Sequence, residues 1–305
     1  MMFRLLFIFI LIIVLGLSGW FYLQVNRRPS DKIVKISGPR VKLLKKETRK
    51  PLVIGFIPQG NVFLMIKRWQ PLLDYLAKEL NIPTEIDLRS TYQEIISALA
   101  NEEIDICLTG AFVYVLTKEK ADITPLVRRK EFGSPYYHGL IVVRKDREIN
   151  DLKDLKGKTF AFIDKKSTTG YLLPITMMRK VGIADPNQYF SEVIFTQNHD
   201  SGILAVYKQT IDAAAISSTR WLPDAPLTQE LKIIWKSKPL LLGPFSVRRQ
   251  LDKNLMRKIT DAFLKIGVTE DTKELSRHIV VKGFEKAYDE DYNVIREIKD
   301  GFTEN

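Results

Sequence analysis

The chain of 305 residues predicts an α/β fold of two lobes, each a mainly parallel sheet flanked by helices, preceded by an apolar transmembrane or signal helix. Short apolar runs alternate with segments of helical period, the pattern of βαβ units. The alternation occurs twice, once before and once after residue 140. Two further apolar stretches, 140–144 and 232–247, supply the crossings that two lobes require.

The elements follow in order. Residues 53–57 form a first strand entering the loop 58–61. A helix follows, with Trp69, Leu72, Leu73, Leu76 and Leu80 on one face. Strand 83–88, helix 92–100 and strand 104–108 complete a βαβαβ half that ends at Thr109 and Gly110. The second half has strand 160–163, helix 171–181, strand 192–195, helix 201–208 and strand 212–216. The tail from Asn254 is expected to finish as helices on the first lobe. The domain reading is therefore 1–25 as signal or anchor helix and 26–50 as basic linker. Residues 51–140 plus 241–305 make lobe 1, and 141–240 make lobe 2. In open α/β sheets ligands sit at the carboxyl ends of strands. Loops 58–61, 109–111 and 167–169 all occupy such ends.

The net charge of +11 is concentrated at one end. Residues 26–50 hold ten Lys/Arg and two acids, and the body from Pro51 onward carries only +2. A nearly neutral body is not a nucleic-acid surface. The basic stretch fits a segment beside anionic headgroups. Residues 5–25 are almost wholly apolar and long enough to span a bilayer. Either a signal peptide cut near 16–19 or an uncleaved anchor fits. The lack of Ala-x-Ala and the belt Trp20, Phe21, Tyr22 favour the anchor. The positive-inside tendency alone would set 27–50 in the cytoplasm. The single cysteine, Cys107, excludes an internal disulfide and a cysteine zinc site, and its apolar run makes it a buried thiol.

The strongest local signal is Ser167, Thr168 and Thr169, followed by Gly170, between a predicted strand and a predicted helix. Backbone amides are free where a helix begins, and the dipole there favours negative charge. With the hydroxyls added, such a nest can hold a tetrahedral oxyanion by neutral donors alone. An ordinary helix cap has the same composition.

Around the nest stand further motifs in a fixed order. Gly133, Pro135 and Tyr137 come first, then Leu155 to Phe162 with Gly157 and Lys158. Gly170, Tyr171 and Pro174 close the nest, and His199, Asp200 and the strand before Ser217 follow. This ordered set, over roughly 52–267, resembles the phosphate/phosphite/phosphonate solute-binding family of ABC importers. That family shows a Gly-x-Pro-x-Tyr segment, a Ser-Thr-Ser-Gly-Tyr-x-x-Pro nest and a later His–acid pair. The resemblance implies a type 2 periplasmic binding protein fold, an export-side location, an ABC permease as partner and no cofactor.

It also implies site residues. His199 matches the family's ligand histidine and can donate to an anion oxygen; otherwise it is a surface histidine beside Asp200, a helix-capping acid. Tyr137 matches the family's tyrosine, either bonding the ligand or packing as a core aromatic. His138 departs from the pattern. Thr109 either contacts the anion or closes a strand-end turn. Tyr114 favours the core. Gln59 and Asn61 are candidates to reach the cleft from the first lobe. Arg220 either meets a second negative group or stays on a surface loop. The expected ligand set is Ser167, Thr168, Thr169, Gly170, His199, Tyr137, Thr109 and Asn61. Relatives that take aminoalkyl phosphonates tend to carry acids near positions 219 and 244. Thr219 and Pro244 stand there, which points to phosphite, phosphate or a small phosphonate with an uncharged tail.

No nucleophile–base spacing, metal-binding His pair or Walker loop is present. The expectation is a monomeric receptor rather than an enzyme, tethered at the membrane's outer side. A membrane-bound sensor of the same build is the alternative, and an enzyme on this fold a third reading.

Overall fold

The computed structural model describes residues 50–303, so the apolar run 5–25 and nearly all of the basic stretch lie outside them. The first lobe begins with β1 (Leu52–Phe56), α1 (Val62–Leu80), β2 (Thr84–Leu88), α2 (Tyr92–Ala100), β3 (Ile106–Leu108), α3 (Ala111–Lys118) and β4 (Ile123–Arg129). The chain crosses through β5 (Tyr136–Tyr137). The second lobe contains β6 (Gly139–Arg144), β7 (Thr159–Phe162), α4 (Leu173–Lys180), β8 (Glu192–Phe195), α5 (His199–Tyr207), β9 (Ala213–Ser217) and β10 (Leu231–Lys236). The return passes through β11 (Leu240–Leu241) into β12 (Pro244–Arg248). Helices α6 (Lys253–Lys265) and α7 (Lys273–His278), strand β13 (Phe284–Lys286) and helix α8 (Asn293–Thr303) finish the described chain.

One sheet has the order β13-β4-β12-β3-β1-β2, and the other β10-β6-β9-β7-β8. Parallel pairing is confined to β2-β1-β3 and β8-β7-β9. The strands beyond them pair antiparallel, so the sheets are mixed rather than mainly parallel. The reason is topological. β6 and β12 enter their sheets from the opposite lobe, without a crossover helix to turn them parallel. A two-stranded ribbon of β5 and β11 pairs Tyr137 with Leu240 between the lobes.

The two halves repeat one local device. Asp105, just before β3, accepts the Val53 N–H at 2.9 Å, and Asp212, just before β9, accepts the Thr159 N–H at 2.9 Å. Each carboxylate holds the start of one lobe's central strand against its neighbour. Helix α1 shows how side chains position an element. Asn61 caps it by accepting from Phe63 and Leu64 N–H, and Asn81 ends it in the left-handed region. Pro71 inside it cannot donate to the Lys67 carbonyl four residues back. His278 Nε2 donates to that carbonyl instead, at 2.9 Å. The buried face of α1 stacks Trp69 on Phe56 with ring centres 4.9 Å apart, and Phe245 closes edge-on against both.

Helices α6 and α7 pack on the first lobe. Helix α8 does not stay there. Its Ile295, with Tyr292 of the turn just before it, packs with Ala111, Phe112 and Tyr114 of α3 and with Leu172 and Leu173 of the second lobe. Arg179 donates to the Phe302 carbonyl at 2.7 Å and lies over the Phe302 ring at 4.0 Å. Among the described residues no helix is long and apolar enough to cross a membrane.

Candidate functional site

After β7 the chain turns sharply. Asp164 accepts the Lys166 N–H on its side chain and the Ser167 N–H on its carbonyl, at 2.7 and 2.8 Å. Ser167 then caps the next turn, its Oγ accepting the Gly170 N–H at 3.0 Å. Residues Thr168–Leu172 are π-helical, with the Leu172 N–H reaching back to the Ser167 carbonyl. The wide turn leaves the Thr168 and Thr169 amides without an acceptor among the described residues. All three hydroxyl residues are buried. The segment is thus both a cap, through Ser167, and a nest with free donors. Sequence periodicity merged it with α4, because a π-turn leaves no separate signal in the pattern.

His199 opens α5, where Asn198 is the cap, accepting the Ser201 N–H at 2.9 Å. Asp200 is therefore not the cap; it forms a two-point ion pair with Arg220 at 2.8 and 2.7 Å. His199 Nδ1 accepts the Ser217 N–H at 3.1 Å. A backbone amide can only donate, so Nε2 carries the proton and is left as a donor. Burial, helped by the nearby Arg220 charge, pushes the imidazole pKa down to about 3. His199 is neutral at physiological pH.

These groups meet in a cavity of about 30 Å³ between the lobes. The second lobe supplies Ser167, Thr168, Thr169 and His199, and the first supplies Thr109 and Arg129. Tyr137 enters from the crossing ribbon, and Tyr92 from the start of α2. Burial pushes the Tyr137 hydroxyl up to about 12 and raises that of Tyr92, so both are protonated donors. The lobes bond across the cavity: the Phe112 N–H at the start of α3 donates to Thr168 Oγ1 at 2.9 Å.

Six of the eight residues expected from sequence line this wall, and two do not. The Asn61 side chain is occupied as the cap of α1 and faces a separate crevice. Gly170 lies beneath the nest, its N–H taken by Ser167 Oγ. It is a glycine for steric reasons, since a Cβ there would stand 2.3 Å from Ile163 Cγ1. Thr109 lines the wall while its hydroxyl leans on the Pro244 carbonyl at 3.4 Å. Tyr114 donates to Asp289 away from the cavity.

Sequence reasoning passed over Tyr92 and Arg129. Arg129 Nε donates to Glu131 Oε1 at 2.7 Å, and Arg68 donates to the same oxygen at 3.2 Å. Burial raises the Glu131 pKa, but the two guanidiniums outweigh it and hold the carboxyl below its ordinary value. Among the described residues no carboxylate lines the cavity. Hydroxyls, free amides, a neutral imidazole and one guanidinium converge on a space of roughly two or three waters. Such a set is suited to a small anion.

A family profile for the periplasmic substrate-binding protein of phosphonate ABC transporters matches residues 54–292. The chain belongs to that family. Its members bind substrate for ABC transporters and are not enzymes. A phosphonates-binding periplasmic protein of Escherichia coli K12 is 28% identical over 241 residues, covering 75% of this chain and 70% of the relative. A phosphate-import protein of Mycolicibacterium smegmatis is 28% identical over 229 residues, covering 70% of each chain. The crystal structure of PhnD1 from Prochlorococcus marinus in complex with methylphosphonate superposes with a TM-score of 0.76. It is 22% identical, over 84% of this chain and 99% of that one, a level at which the likeness speaks for the fold.

Proposed function

We propose that the chain captures a small phosphorus oxyanion, phosphite, phosphate or methylphosphonate, in the cleft and presents it to an ABC permease. The observation that carries this reading is the cavity itself. It closes between the lobes, measures about 30 Å³, and offers donors without a carboxylate. A tetrahedral anion satisfies those donors, and lobe closure removes the water that would compete for them. An alkyl ammonium tail would find neither room nor a counter-charge in the wall, which argues against aminoalkyl phosphonates. Ser167, Thr168 and Thr169 would bind through hydroxyls and amides, His199 through Nε2–H, and Tyr137 and Thr109 from the facing side. The receptor is proposed to be monomeric and held at the outer face of the cytoplasmic membrane by residues 5–25.

Calorimetric titration of the full chain against phosphite, phosphate, methylphosphonate, 2-aminoethylphosphonate and sulfate tests the reading. The expected result is micromolar or tighter binding of at least one of the first three, with 2-aminoethylphosphonate far weaker. Silence from all phosphorus oxyanions would sink it.

A further inference from the structure

Strand β4 ends in two arginines with opposite fates. Arg128 is paired twice, with Glu285 and with Asp291. Arg129, only 3% exposed, pairs once. Its Nε edge meets Glu131 Oε1; its Nη1 finds no acceptor among the described residues, and Glu131 Oε2 finds no donor. Nε–H and Nη1 project from opposite edges of a guanidinium, so Glu131 cannot serve both. Glu131 is moreover shared with Arg68. Two guanidiniums on one carboxylate leave a buried cluster with one uncompensated positive charge, a costly arrangement without a counter-ion. Arg129 is one of the residues that line the cavity, and among the described residues no acid lines it.

The nest and the neutral His199 suffice for an anion carrying one charge. The surplus cation goes beyond that need. We infer that Arg129 is the charge selector of the site: its unpaired edge takes an oxygen of a doubly ionised phosphorus oxyanion, and the receptor discriminates against singly charged ions of similar size. The inference rests on the phosphorus-oxyanion reading above and sharpens it from a size class to a charge class.

Phosphite and hypophosphite make the probe pair, because both are small tetrahedral phosphorus anions that differ by one charge and one oxygen. The full chain and its Arg129→Gln variant are titrated with each, above the second ionisation of phosphite. The parent is expected to prefer phosphite. Arg129→Gln should weaken phosphite by roughly 10- to 100-fold, the worth of one charge-assisted hydrogen bond. Hypophosphite should weaken by no more than about threefold, since it needs only the neutral donors. Equal losses for the two anions, or an unchanged phosphite affinity, would overturn the selector role while leaving the receptor reading intact. A parent chain that binds no phosphorus oxyanion would overturn both. Arg129→Gln leaves Glu131 its second partner, Arg68, so the double variant Arg129→Gln with Glu131→Gln tests whether the loss depends on that remaining pair. It should show the same selective loss, and a uniform loss in it counts against the inference just as firmly.

Discussion

Replacing Thr168 by valine removes one oxygen at nearly constant volume, and the structure states what that oxygen does. Its Oγ accepts the Phe112 N–H across the cleft at 2.9 Å, and the residue lines the cavity beside Tyr137. Valine therefore has two effects on the liganded, closed state. It strands a buried amide, at about 1–3 kcal/mol, and it deprives an anion of a charge-assisted donor, at about 1.5–3 kcal/mol. With the lobes apart the Phe112 amide meets water, so the first cost falls on closure and not on folding. The terms share a site and do not simply add. The larger lower bound alone, about 1.5 kcal/mol, already exceeds tenfold in affinity. Titration of Thr168→Val with the best of the phosphorus oxyanions measures it, alongside Thr168→Ser, which keeps the hydroxyl and should stay within about threefold. If Thr168→Val binds as tightly as Thr168→Ser, the hydroxyl neither bridges the lobes nor meets the anion, and the argument fails.

Other outcomes follow from the same geometry. His199 is held at a pKa of about 3 against an ordinary 6.5, so the unfolded chain takes up a proton first as pH falls. Its contribution to stability is complete above the ordinary value and drains away toward pH 3, with a slope of at most about 1.4 kcal/mol per unit. Denaturant titrations between about pH 7 and about pH 5 should show His199→Gln lacking that part of the slope, and identical slopes would refute it. A methyl on Gly60 would stand 2.1 Å from Asp200 Oδ2, which Arg220 locks in place. Gly60→Ala should oppose closure by about 1–3 kcal/mol, read as weaker binding and a larger radius of gyration under saturating ligand; a radius and affinity equal to the parent's would count against it. Gly170→Ala drives a Cβ into Ile163 and Ser167 Oγ, so thermal unfolding should come several degrees earlier and anion binding should disappear. Full binding by that variant would mean that the turn relaxes freely.

The lobes and most of the site were legible because both rest on local, periodic signals. The face of α1 repeats at helical spacing, and the nest announces itself by hydroxyls between a strand and a helix. What escaped depends on long-range register or on choices between equivalent polar roles. Arg129 sits in a run with Arg128 and Lys130, and such a run ordinarily marks a solvated edge. It is buried because β4 lies inside its sheet, between β13 and β12, a placement fixed by chain that arrives more than a hundred residues later. Asn61 was expected to reach the cleft, and Asp200 had a functional and a capping alternative. The capping role fell to Asn61 at one helix and to Asn198, not Asp200, at the other, a distinction made only by where each backbone turns. The mixed pairing of the sheets was equally hidden, since a strand's sequence does not encode the direction from which its neighbour comes.

Helix α8 packs against α3 through Tyr114 and against Leu172 and Leu173, where the π-turn that lines the cavity passes into α4. Any opening of the cleft must slide or tilt that packing. Apparent affinity is intrinsic affinity scaled by the fraction of molecules already in the competent form. Helix α8 is thus placed where it would bias the resting balance between open and shut. Changes at Arg179 or Phe302, neither of which lines the cavity, can reset the concentration at which the receptor fills without altering which ion it takes.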